Sequence, residues 1–166
     1  MSHPTNRVLF VCSGNICRSP MAEGLFRKLV QDQGVAARFE ADSAATGRWH
    51  IGEAPDPRAR QVLEDHGAPV PKAARQVTQR DYDYFDFILA MDRGVAKLLK
   101  RRAPDDAGRA KVALVLDATV GGDVPDPYFG KGRDFEAVYD LLETALDRWI
   151  ILLTARIPAG GIEDKG

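Results

Sequence analysis

Short apolar runs alternate with longer amphipathic stretches along the chain, with no internal repeat or low-complexity tract. Val8-Leu9-Phe10-Val11 is a β-rich run ending in a polar, glycine-containing turn, the pattern of a strand buried on both faces. From Ser19-Pro20 the period changes, and Met21, Leu25, Phe26, Leu29 and Val30 recur at helical spacing. Pro20 fits an early helical position and Gly34 a C-terminal stop. A second strand is expected over Arg38 to Ser43, then a helix from Asp56, with Pro57 near its start, to His66 and Gly67. Phe87 to Met91 reads as a third strand, followed by a helix near Arg93 to Arg102, and Val112 to Leu116 as a fourth strand. The last helix is the clearest, with Phe135, Val138, Leu142, Leu146, Trp149 and Leu153 on one stripe. Residues 1–6 and the Pro- and Gly-containing tail 158–166 are expected to fray.

Four strands alternating with helices imply one α/β domain over residues 1–166, with a small parallel sheet covered by helices on both faces. Ligands bind such sheets beyond the carboxyl ends of the strands, so the chemistry is expected in the loops after strands one, two and four. Composition agrees with a globular chain: of 166 residues, 45% are hydrophobic and 28% charged. Lys plus Arg number 23 against 24 Asp plus Glu, a balance that gives no reason to expect nucleic acid or an anionic membrane. The start, Met1 to Arg7, carries no hydrophobic signal core, and no apolar run approaches the roughly 18 residues that span a bilayer. Only Cys12 and Cys17 are present, so no disulfide framework exists, and the expected location is the cytoplasm.

After the first strand comes Cys12-Ser13-Gly14-Asn15-Ile16-Cys17-Arg18-Ser19-Pro20. Consecutive N–H groups in such a loop can curl into an anion-binding concavity, and the following helix start adds its dipole and unpaired N–H groups. Arg18 can close one side with two parallel hydrogen bonds to phosphate oxygens. The same field favours the thiolate of Cys12, to which Ser19 can donate, while Asn15 tolerates unusual backbone angles. A cysteine alone at a strand end reads as a small buried hydrophobe; Gly14, Arg18 and the helix start beside it favour a nucleophile. No Gly-Lys-Ser/Thr follows, so the loop is not a nucleotide-binding one.

These residues closely resemble the signature of low-molecular-weight protein tyrosine phosphatases, Cys-x-Gly-Asn-x-Cys-Arg-Ser-Pro, at every fixed position. The likeness runs from about Arg7 to Trp149 and includes Met21-Ala22-Glu23, Asp42-Ser43-Ala44, Pro55-Asp56-Pro57-Arg58-Ala59, Ala74-Arg75-Gln76, Met91-Asp92 and Asp126-Pro127-Tyr128. The resemblance implies hydrolysis of protein phosphotyrosine through a cysteinyl-phosphate, without metal or organic cofactor. It implies Cys12 as nucleophile, Arg18 as phosphate clamp and Asp126 as general acid and then base. Asn15 and Ser19 would shape the loop, Ser43 would support it, and Trp49, Tyr128 and Phe129 would flank the pocket mouth. The chemistry is coherent, since a leaving phenoxide needs a proton and one carboxyl group can both give and take it. In isolation Asp126 would read as an ordinary turn aspartate. Two departures stand out: Ala45 where members often carry glycine, and Pro71-Lys72-Ala73 where many place a histidine. Ala45 would cost stability if its φ were positive.

Three rival readings remain on this scaffold. Protein arginine phosphatases typically carry threonine where this chain has Ile16, whose side chain lacks the hydroxyl. Arsenate reduction requires relay cysteines beyond Cys17. A non-catalytic phosphate-binding regulatory protein would lack the nucleophile, clamp or acid, and all three are present. Cys17 reads equally as a packing residue and as the partner of a protective disulfide with Cys12. His66 reads as a helix-end residue and Lys100-Arg101-Arg102 as a solvated helix end; Arg75 and Asp92 are support residues of unresolved role. The expected partner is a phosphotyrosine protein, which could be a bacterial tyrosine kinase that nothing in the sequence identifies.

Overall fold

β1 (Asn6–Cys12) carries the unbroken apolar run and lies at the centre of the sheet, with Val8 to Val11 fully enclosed. The structure, a computed structural model, describes residues 6–156. The fraying expected of residues 1–5 and 158–166 lies outside that range, whereas Asn6 already belongs to β1. β1 is flanked by β2 (Phe39–Ala45) on one side and by β3 (Phe87–Ala90) on the other, with β4 (Val112–Leu114) beyond β3. All three ladders are parallel, as the strand–helix alternation requires, and their register brings Cys12 level with Ala45.

Five α-helices connect the described strands, α1 (Arg18–Asp32), α2 (Pro57–Asp65), α3 (Gln79–Tyr84), α4 (Arg93–Arg102) and α5 (Asp106–Ala110), and α6 (Gly132–Thr154) follows the last strand. Successive side chains of a strand point to opposite faces, so β1 feeds two cores. Val8, Phe10 and Cys12 join Met21, Leu25 and Phe26 of α1, Leu63 of α2 and Leu142 and Leu146 of α6. Leu9 and Val11 join Tyr82 of α3 and Val95 and Leu99 of α4. Each Phe or Leu enclosed this way contributes about 1.5–3 kcal/mol, enough to fix which face of each helix turns inward. The result is a single α/β domain with helices on both faces. Among the described residues no helix is long and apolar enough to cross a membrane.

Local chemistry sets the helix ends. Gly34 takes φ 73° after α1, the stop expected of it. Asp56 caps α2 by accepting from Arg58 N at 2.9 Å, and Asp92 caps α4 by accepting from Val95 N at 2.8 Å. The fourth strand is shorter than its apolar run. A 3-10 turn, Val115–Ala118, replaces the end of the expected Val112–Leu116 strand. Asp117 there accepts from Leu114 N, and Trp149 of α6 donates to the Val115 carbonyl at 2.7 Å, so side chains take up groups that a ladder would use. α3 and α5 were not expected, because both are short and polar and show no apolar period. Their signals are caps: Thr78 with Asp81, and Asp105 accepting from Gly108 N. Ala45 is an ordinary strand residue; Asn15 is the sole non-glycine with positive φ among the described residues, so the cost considered for Ala45 does not arise.

Candidate active site

Residues 12–17 turn from the end of β1 into α1, and Asn15 makes the turn possible by adopting φ 59°. Asparagine tolerates this left-handed angle better than most L-residues, for which it costs roughly 1–2 kcal/mol. Its side chain then fixes everything behind the loop. Asn15 Oδ1 accepts from Arg75 N at 3.1 Å, a group that can only donate, so the Nδ2 hydrogens must face Ser19 Oγ at 2.8 Å and Ser43 Oγ at 3.0 Å. Both hydroxyls accept there and must donate elsewhere. Ser19 donates to Cys12 Sγ at 3.0 Å, and Ser43 to Glu23 Oε1 at 2.7 Å. Asn15 N adds a second donor to the sulfur at 3.2 Å. Two donors therefore converge on the sulfur from the loop and from the first turn of α1. Glu23 is buried, and desolvation raises its carboxyl above the usual range, opposed by the Ser43 hydrogen bond and by Arg27.

Arg18, only 4% exposed, is oriented from the far side. Its Nη1 donates to Asp92 Oδ2 and to the Val124 carbonyl, each at 2.9 Å. That leaves the Nε–Nη2 edge for a second fork of hydrogen bonds, and Nη2 stands 3.9 Å from Asp126 Oδ2. The role of Asp92 was unresolved in the sequence. With one oxygen on the α4 N-terminus and the other on Arg18, it ties the loop after β3 into the site. Arg75 supports the same region by pairing with Asp42 and Asp81. The neighbouring Lys72 is exposed, and among the described residues the Ser43 hydroxyl meets Glu23 and Asn15.

The cavity above the sulfur is about 170 Å³, lined by Cys12, Ser13, Gly14, Ile16, Cys17, Arg18, Trp49, His50, Asp126 and Tyr128. α1 enters it with no side-chain cap on its leading N–H groups, which favours an anion. Trp49, 72% exposed, leans its ring across Gly47, where a Cβ would come within 1.9 Å of it. Phe129 is different: it is 95% exposed and stands outside the cavity wall, edge-on to Tyr128 at 4.9 Å. Asn15, Ser19 and Ser43 are buried behind the loop rather than in the cavity. Sequence reasoning missed His50, which lies over Gly14 and pairs with Glu53 at 2.9 Å; a loop histidine has no period to reveal it. Burial, then Asp56, Cys12 and Asp126, push the Cys17 thiol up to about 12. Among the described residues no group of three or more His, Cys, Asp and Glu converges to hold a metal.

A thiol group at the floor, an arginine fork beside it and a carboxylate across the opening define a cysteine-based phosphate-handling site on a parallel α/β sheet. Comparison makes the class specific. The profile of the low molecular weight phosphotyrosine protein phosphatases matches residues 7–158, and the chain belongs to that family. It is 50% identical over 147 residues to a low molecular weight protein-tyrosine-phosphatase of Streptomyces coelicolor, covering 85% of this chain and 89% of that one. It is 44% identical over 138 residues to the low molecular weight phosphotyrosine protein phosphatase of Homo sapiens, covering 81% and 87%. The crystal structure of a protein tyrosine phosphatase from Entamoeba histolytica, with Hepes in its active site, superposes with a TM-score of 0.85 at 38% identity, covering 90% and 97%. The protein is therefore a phosphoric monoester hydrolase.

Proposed function

We propose that the protein hydrolyses phosphotyrosine in proteins through a phosphate ester on Cys12. The carrying observation is the aromatic wall: Trp49 and Tyr128 line a cavity whose floor holds Cys12 and Arg18 and whose rim holds Asp126. Such a slot sandwiches an aryl ring while the phosphate reaches the cradle.

In the first step the Cys12 thiolate attacks phosphorus and an S–P bond forms as the P–O bond to the tyrosine ring breaks. The carboxylic acid of Asp126 gives its proton to the departing phenolate. In the second step water attacks phosphorus, the Asp126 carboxylate takes a water proton, and the thiolate leaves with the S–P electron pair. Arg18 holds equatorial oxygens with its open edge, and the Ser19 hydroxyl holds the sulfur in both steps. Gly14 lets the loop backbone approach the anion, Ser13 and Ile16 complete its wall, and Cys17 packs beneath as a thiol. Ile16 presents only apolar surface, which supports an aryl substrate over a phosphoguanidinium. A reducing compartment such as the cytoplasm suits a cysteine nucleophile.

Phosphate release from a phosphotyrosine peptide and a phosphoarginine peptide tests this reading, with Cys12→Ser as control. The expected outcome is turnover of phosphotyrosine that falls by at least about 10⁴-fold in the variant. Preference for phosphoarginine would overturn the substrate assignment, and release undiminished in Cys12→Ser would overturn the mechanism.

A further inference from the structure

The segment that carries Asp126 is anchored on both sides, at Val124 before it and at Tyr128 and Gly130 after it. Upstream, the Val124 carbonyl accepts from Arg18, and Val124 N donates to the Met91 carbonyl at 2.8 Å. Downstream, the carbonyls of Tyr128 and Gly130 accept from Arg58 Nη2 and Nη1, each at 2.9 Å. Arg58 comes from the first turn of α2, 70 residues away from Tyr128 in the chain. Its guanidinium is seated by Asp56, with Nε on Oδ1 at 3.0 Å and Nη2 on Oδ2 at 2.9 Å. Its flat face lies 4.5 Å from the Phe135 ring centroid. Asp56 N in turn donates to the Ile16 carbonyl at 2.8 Å, inside the phosphate loop. A continuous strut thus runs from the phosphate loop through Asp56 and Arg58 to the segment holding Asp126.

We infer that Arg58, seated by Asp56, is a positioning residue that holds the Asp126 carboxyl over the phosphate cradle. The inference rests on Asp126 being the proton donor proposed above. Asp126 is itself more than half exposed and makes one short local hydrogen bond, to Tyr128 N at 3.1 Å. Its distance from the leaving oxygen is therefore set by the backbone on either side. Lysine cannot replace Arg58, since one ammonium cannot satisfy two carbonyls and a carboxylate in a fixed plane.

A double-mutant cycle separates positioning from mere stapling of the fold. kcat/KM is measured for aryl phosphates of rising leaving-group pKa in the parent, Arg58→Met, Asp126→Ala and the double variant, with Tm followed throughout. Arg58→Met is expected to lose on the order of 10²-fold on the poorest leaving groups, the scale of a misplaced group, and about threefold or less on the best. In the Asp126→Ala background the same change costs less than about twofold, because there is no acid left to misplace. Asp56→Asn keeps the helix cap and loosens only the seat of the guanidinium, so it gives the same slope with a smaller loss even if Arg58→Met folds poorly. A loss equal across leaving groups, or undiminished in the Asp126→Ala background, overturns the strut. An Asp126→Ala enzyme with no leaving-group dependence overturns the acid assignment and the strut together.

Discussion

Behind the phosphate loop, Asn15, Ser19, Ser43 and Glu23 are buried and each is matched to specific partners, whereas at the mouth Trp49 and Asp126 are more than half exposed and Tyr128 keeps 39% of its surface in solvent. The rear network has one self-consistent arrangement of donors and acceptors, because the Arg75 N–H fixes the amide of Asn15 and the amide fixes both hydroxyls. Low dielectric makes each of those hydrogen bonds stronger and each loss more costly. The mouth relies on ring surfaces and a half-exposed carboxylate that accepts from Tyr128 N and stands 3.9 Å from Arg18 Nη2. The contrast separates two tasks. Holding an anion against a cysteine sulfur demands donors that do not move during reaction, while admitting a substrate side chain demands walls that can give.

Breaking the rear should therefore cost both rate and stability. Asn15→Ala removes an amide with three hydrogen bonds and leaves alanine in a left-handed backbone. Unmatched buried groups cost about 1–3 kcal/mol each, with about 1–2 kcal/mol more from the backbone. A loss of at least about 4 kcal/mol in denaturant unfolding and about 100-fold in kcat/KM is expected. Asn15→Gly relieves the backbone alone, so it should recover about 1 kcal/mol and little of the rate. Full recovery of rate by glycine would show that the loop angle, and not the amide, organises Ser19 and Cys12.

The same division explains what the sequence made legible. The loop from Cys12 to Ser19 is contiguous, and its donors, clamp and glycine sit at spacings that a reader can test against phosphate chemistry. The buried strands were equally plain, since Val8 to Val11 must be enclosed on both faces. What escaped depends on long reach or local capping. Arg58 meets Gly130 across 72 residues, and no period or motif in the chain announces that pairing. Asp92 looks like any helix cap until its second oxygen is seen on Arg18. β4 ends early because Trp149, 34 residues downstream, takes the Val115 carbonyl. Phe129 follows Tyr128 in sequence, yet the turn sends it out of the cavity.

Breaking the mouth should cost binding and leave stability alone. Trp49→Ala removes an exposed ring, so unfolding should change by no more than about 0.5 kcal/mol. An aromatic contact is worth about 0.5–1.5 kcal/mol beyond area, which predicts a rise in KM of up to about tenfold with kcat nearly unchanged. Gly47→Ala reaches the same wall from behind, since its Cβ would strike the Trp49 ring. It should reproduce the KM effect for aryl substrates while sparing small alkyl phosphates. An equal loss on alkyl phosphates would mean that the ring shapes the cradle and not the slot.

Cys17 sits between the two regions and gives the smallest and cleanest signal. Its thiol is pushed from 9.0 up to about 12 in the folded protein, first by burial and then by Asp56, Cys12 and Asp126. The folded chain therefore keeps this proton where the unfolded chain has lost it. The associated stability is fully present below about pH 9 and declines as pH rises toward 12. The slope from one such proton is at most about 1.4 kcal/mol per pH unit. Cys17→Ser should flatten the alkaline decline by that amount relative to the parent and leave neutral stability and kcat within about twofold. Alkylation at pH 7–8 gives the matching chemical readout. One equivalent of iodoacetate should modify Cys12, inorganic phosphate should protect it, and Cys17 should stay unmodified until the protein unfolds. Labelling of Cys17 in the folded protein at that pH would show that the thiol is neither enclosed nor held neutral, and the alkaline signature would then be absent too.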